Sequence, residues 1–76
     1  MAKRRARTFD HAKLAKLRSD KGWTQSQLGE KCGTDKTVVW HWENGDSAPR
    51  ADMLPLVADA LEVSIDDLFT VERAAS

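Results

Sequence analysis

The chain has 76 residues, 41% of them hydrophobic and 32% charged, with no net charge at pH 7 and one cysteine. That is enough for one compact domain, too little for two, and too apolar for an intrinsically disordered chain. Cys32 has no partner for an internal disulfide. With His11 and His41 it leaves too few ligands for a structural zinc site, so neither a metal nor another cofactor is expected. No apolar run approaches the roughly 20 residues that span a bilayer, and Lys3-Arg4-Arg5-Ala6-Arg7 is not followed by the apolar core of a secretory signal; both point away from membranes and to the cytoplasm.

The balance of charge is local rather than uniform. Residues 1–36 hold ten Lys and Arg against four Asp and Glu, a balance of +6, and residues 37–76 hold Arg50 and Arg73 against eight acids, a balance of −6. Such polarity suits a molecule that turns one face to phosphates and the other to solvent or a partner; a basic arm on an ordinary surface fits as well.

Taken in chain order, residues 1–8 read as a basic flexible arm, 9–70 as the folded domain and 71–76 as a tail. No strand signal is present: there is no tyrosine and no alternating β-branched run. Leu14 and Leu17, among Lys13, Lys16, Arg18 and Lys21, predict a first helix over 10–21, stopped by Gly22. Thr24-Gln25-Ser26-Gln27 is a capping box that starts a second helix at Gln25, ending near Cys32-Gly33. Asp35 caps a third helix, from Lys36 to about Glu43, with Asn44-Gly45 as its stop. Only Gly33-Thr34-Asp35 separates the two, a tight helix-turn-helix. Met53 to Leu61 predicts a fourth helix capped by Asp52, which places Pro55 in the first turn, where its missing donor costs nothing. Ser64-Ile65-Asp66-Asp67 opens a short fifth helix with Leu68 and Phe69 turned inward, followed by a frayed end from Thr70.

Helix 3 sorts into two faces by 3.6-residue periodicity. Val39 and Trp42 fall on one stripe and should be core, as should Trp23. Thr37, Trp40, His41 and Asn44 fall on the other, with Lys36 beside them. A hydroxyl, an aromatic ring, an imidazole and an amide can bond to or press on base edges, and a helix fits the roughly 12 Å major groove of B-DNA.

Leu14-x-x-Leu17-Arg18-x-x-x-Gly22-Trp23-Thr24-Gln25-x-x-Leu28-Gly29, then Gly33, Val39, Trp42-Glu43-Asn44-Gly45, Pro49 and Ala58-x-Ala60-Leu61-x-Val63-Ser64, resembles the Cro/C1-type (XRE-family) helix-turn-helix domain over about residues 10–69. The resemblance implies an all-α, compact five-helix bundle of the lambda-repressor-like class, with helix 3 as the recognition helix. It implies base reading by Lys36, Thr37, Trp40 and His41, phosphate contacts from Gln25 and Asn44, and a structural ion pair between Arg18 and Glu43. Arg50 is the main cation of the loop after helix 3, and Arg4, Arg5 and Arg7 would follow the DNA backbone or enter the minor groove. Departures from the family include Gly29 in place of the usual alanine, Trp40 in place of a small or polar residue, and Asp46 in place of a frequent Lys or Arg. Gly29 costs about 1 kcal/mol of helix propensity unless a close approach there excludes a methyl group. Trp40 suits either a base or a protein contact. Cys32, where relatives carry leucine, reads as a buried and inert thiol.

The expectation is therefore a sequence-specific DNA-binding transcriptional regulator, a repressor, acting on palindromic double-stranded operator DNA. It would work as a homodimer, formed on the DNA if not before, through Leu61, Val63, Ile65, Phe69 and Val71. No effector domain is expected. The alternative is a protein-interaction module, an antitoxin or adaptor, whose acidic second half or Trp40 engages a protein partner. No catalytic residues are expected: His41 and Glu43 point to different faces of one helix, and there is no phosphate-binding loop.

Overall fold

A computed structural model describes residues 6–72 of the chain. Four α-helices, α1 (His11–Asp20), α2 (Gln25–Cys32), α3 (Lys36–Asn44) and α4 (Leu54–Leu61), are followed by a single 3-10 turn (Ile65–Leu68). Two short strands, β1 (Ala6–Phe9) and β2 (Phe69–Glu72), close the two ends of the chain together. Expected arm residues Arg4 and Arg5 lie outside the described residues, and so do 73–76 of the expected tail.

The caps explain most of the boundaries. Asp10 accepts from the Lys13 N–H at 3.0 Å and starts α1. Thr24 and Gln27 form the reciprocal capping box at 3.1 and 2.7 Å, and Asp35 accepts from Val38 N–H at 3.0 Å. Gly33 lies in the left-handed region at φ 79°, and its N–H and that of Thr34 turn back onto the carbonyls of Glu30 and Gly29. The two bonds close α2 in the pattern that lets the chain reverse within one residue of a helix end. The site of Gly29 is tighter still: a Cβ there would lie 2.8 Å from the Asp35 carbonyl carbon. The missing methyl group therefore lets the start of α3 rest directly on α2.

Two expectations about the second half change. The cap of α4 is Met53, with no side-chain hydrogen bond; Asp52 is instead 3.9 Å from Arg50. Pro55 still lies in the first turn, so the helix loses no internal bond to it. The fifth helix is a 3-10 turn of four residues: Ser64 and Asp67 cap each other, but Phe69 then goes extended at φ −122°, ψ 147°. From there it enters β2, antiparallel to β1, with Phe9 opposite Phe69 and Thr8 opposite Thr70. The rings of Phe9 and Phe69 meet edge to face with centroids 5.9 Å apart. Two four-residue strands about 60 positions apart carry too little periodicity to be seen singly, and each is stable only against the other.

Every helix contributes to one core: Leu14, Leu28, Cys32, Val39, Trp42, Val57, Ala58, Leu61 and, from the 3-10 turn, Leu68. Leu14, Leu28, Val39, Val57 and Leu68 expose no surface, and each such side chain contributes about 1.5–3 kcal/mol by leaving water. Burial raises the pKa of the Cys32 thiol, which keeps it protonated and unreactive. Trp23, expected in the core, packs against the core cluster without being sealed in it. It is half-buried, with the Lys31 ammonium 4.5 Å and the Lys21 ammonium 5.8 Å from its ring. Among the described residues no helix is long and apolar enough to cross a membrane.

Candidate nucleic-acid interface

The underside of α3 is fixed by Val39 and Trp42, which are 0% and 4% exposed. That anchorage turns Thr37, Trp40 and Asn44 outward on the opposite face, with Lys36 beside them at the start of the helix, and all four are exposed. Trp40 is 46% exposed, an unusual position for a large aromatic ring. Its indole stands edge-on to the His41 imidazole, with centroids 5.0 Å apart and planes at 83°. His41 is half-buried, and its Nδ1 lies 3.1 Å from the Asp46 carboxylate in the loop beyond Gly45.

Behind this ridge a polar network ties three helices. Arg18 on α1 donates from Nε and Nη2 to the two carboxylate oxygens of Glu43, at 2.6 and 3.1 Å, and from Nη1 to the Trp23 carbonyl at 2.7 Å. Both ends of the pair are withdrawn from water, with side-chain exposures of 20% and 7%. Glu43 accepts a further bond, 3.0 Å, from the Gln25 side-chain amide at the start of α2. A primary amide has two N–H donors and one goes to Glu43. The other, together with the open backbone N–H groups of the first turn, suits an anion at the positive end of α2. Sequence reasoning placed Arg18 opposite Glu43 but missed both the Gln25 link and the His41–Asp46 contact. The latter pair spans five residues across a helix stop, a spacing with no signature of its own.

The remaining phosphate candidates divide. Arg50 is 84% exposed on its side chain and only loosely near Asp52. Asn44 is the last residue of α3, exposed beside the left-handed Gly45. Arg7 belongs by backbone to β1, while its side chain, with Arg4 and Arg5, is outside the described residues. Of the apolar residues expected at a dimer surface, Leu61 is 2% exposed and belongs to the core cluster, where α4 packs against α2 and the 3-10 turn. Val63 and Phe69 are packed against that core, Ile65 is 38% exposed, and the side chain of Val71 is outside the described residues.

Residues 14–68 match the family model described as Helix-turn-helix. The chain belongs to the Cro/C1-type helix-turn-helix family. This helix-turn-helix chain is 35% identical over 61 residues to the HTH-type transcriptional activator BcrR of Enterococcus faecalis, the match covering 80% of the chain and 30% of that protein. It is 38% identical over 56 residues to the cryptic phage CTXphi transcriptional repressor RstR of Vibrio cholerae serotype O1, covering 74% and 50%. The chain thus corresponds to half or less of the length of these curated relatives. Among solved structures, the fold is similar to that of the P22 c2 repressor in complex with a synthetic operator, with TM-score 0.75, 24% identity, and coverage of 76% of this chain and 88% of that one. It is also similar to the restriction-modification controller protein C.AhdI of Aeromonas hydrophila, with TM-score 0.73, 29% identity, and coverage of 78% and 89%.

Proposed function

We propose that this helix-turn-helix chain is a sequence-specific DNA-binding transcriptional regulator that acts as a repressor in the cytoplasm, with α3 in the major groove. The observation that carries the reading is the two-sidedness of α3: Val39 and Trp42 are sealed while Lys36, Thr37 and Trp40 are exposed beside His41. A helix held by its underside presents its outer ridge in one orientation, which base reading requires. Lys36, Thr37, Trp40 and His41 contact base edges. Gln25, Asn44 and Arg50 contact phosphates, and Arg4, Arg5 and Arg7 extend that contact along the backbone. The repressor RstR and the operator-bound P22 c2 repressor support this reading from outside the chain. Repression follows where the site covers a promoter.

One such domain covers a small interface, so useful affinity needs two copies on half-sites about 34 Å apart. The regulator therefore works as a homodimer on a palindromic operator, assembled on the DNA. Selection of bound duplexes from a random pool tests the proposal. An enriched palindrome with half-sites one helical turn apart supports it; a pool that stays random after repeated rounds contradicts it.

A further inference from the structure

The deciding feature is the contact between His41 and Asp46. The Asp46 backbone N–H donates to the His41 carbonyl at 3.1 Å, which fixes the loop against the end of α3. From that fixed backbone the carboxylate reaches His41 Nδ1, also at 3.1 Å. The Trp40 indole, edge-on at 5.0 Å, flanks the same imidazole. An ionised carboxylate only accepts hydrogen bonds, and a neutral imidazole carries one proton on one ring nitrogen and a lone pair on the other. In the neutral ring the contact therefore places the proton on Nδ1 and leaves Nε2, on the far edge of the ring, as an acceptor. The side chain is 45% exposed, which leaves the ring accessible beside Trp40 on α3.

The major groove sorts bases by this polarity. Cytosine offers its N4 amino group and adenine its N6 amino group as donors, whereas guanine and thymine offer acceptors at O6, N7 and O4. We propose that Asp46 is a positioning residue that selects the base read by His41: by holding the Nδ1–H tautomer it makes His41 a reader of amino-bearing edges, cytosine or adenine. The inference rests on the major-groove reading of α3 proposed above. It gives Asp46 a role in specificity without contact to DNA.

Two readouts separate the parts of this inference. Nitrogen-15 NMR of the histidine rings at about pH 8.5, where an ordinary imidazole is neutral, reports which nitrogen is protonated without any DNA present. His11→Gln assigns the two rings. The unaltered protein shows Nδ1–H at His41, and Asp46→Ala shows a mixture of both forms, with its thermal midpoint close to that of the unaltered protein. Random-pool selection at the same pH then identifies the base position whose preference disappears in His41→Ala. Cytosine or adenine is preferred there about five-fold or more by the unaltered protein, and by less than about two-fold in Asp46→Ala, as guanine and thymine become acceptable. An Nε2–H ring in a protein that still selects a sequence overturns the role of Asp46 alone. Guanine or thymine at that position with an Nδ1–H ring overturns the base assignment. Failure to enrich any duplex overturns the base assignment together with the regulator reading.

Discussion

Glu43, the penultimate residue of α3, holds the Gln25 amide at 3.0 Å with the same oxygen that takes one of the two Arg18 bonds. One carboxylate thereby fixes the end of α3 to α1 and aims the first residue of α2. The predicted consequence is a division of labour. Glu43→Ala leaves the largely buried Arg18 without its counter-charge and lowers unfolding free energy by about 3–5 kcal/mol in urea titration. Gln25→Ala changes stability by less than about 1 kcal/mol but weakens binding to every duplex tested, because the contact proposed for it is to phosphate and would carry no sequence information. Equal stability losses in the two variants would contradict the arrangement.

Asp10 joins the two ends of the chain. One carboxylate oxygen caps α1 through Lys13 N–H and the other accepts from the Thr70 hydroxyl at 2.6 Å. The Thr70 bond, then the Lys13 N–H bond, hold the Asp10 pKa below its ordinary 3.8. A carboxylate depressed in the folded state adds stability above the unfolded pKa and loses it as pH falls through the folded value. Stability is therefore expected to decline below about pH 4, and Thr70→Val, which removes the larger cause, makes that decline shallower while leaving the α1 cap in place. Thermal midpoints between pH 2 and 7 measure it; an unchanged acid limb in Thr70→Val would contradict the assignment.

Gly29 gives a test of packing against propensity. Alanine there gains about 1 kcal/mol of helix propensity. Its Cβ, however, would lie 2.8 Å from the Asp35 carbonyl carbon, a backbone atom that moves only if α3 moves. Overpacking of this kind costs about 1–3 kcal/mol, so Gly29→Ala is expected to be net destabilising, with reduced DNA selectivity as α3 tilts. A rise in Tm would show that the α2–α3 crossing relaxes freely.

The helix-turn-helix was legible because its punctuation is local. Thr24, Gln27, Gly33, Asp35 and Gly45 each act within five residues, and all perform the cap or stop that their spacing implies. The outward stripe of α3 was legible for the same reason, since Val39 and Trp42 define its opposite face. What escaped reading depends on distant partners. The pairing of Phe9 with Phe69 makes strands of segments that look like an arm and a tail. The burial of Leu61 depends on how α4 is rotated against α2 and the 3-10 turn, and the half-exposure of Trp23 on two lysines that cover its ring. Asp52 fails as a cap because helix α4 begins one residue later than its position requires.

Asp35 is the cap on which α3 starts. Asp35→Ala removes the acceptor for Val38 N–H and is expected to cost about 1 kcal/mol of stability in denaturant titration, by loosening the first turn of α3. Asp35→Asn, which keeps an acceptor, restores most of the loss. If the two variants lose equal stability, the cap bond contributes nothing.

The central claim, that the outer ridge of α3 reads bases while its underside only anchors, is tested most directly by comparing affinities for the selected duplex and a scrambled one. The comparison is made at several salt concentrations for the unaltered protein and for the combined Thr37→Ala, Trp40→Ala, His41→Ala variant. The unaltered protein is expected to prefer the selected duplex by roughly 10³ or more, and the variant by no more than about ten-fold, with the salt dependence of binding largely retained. A folded variant that keeps the full preference would contradict it.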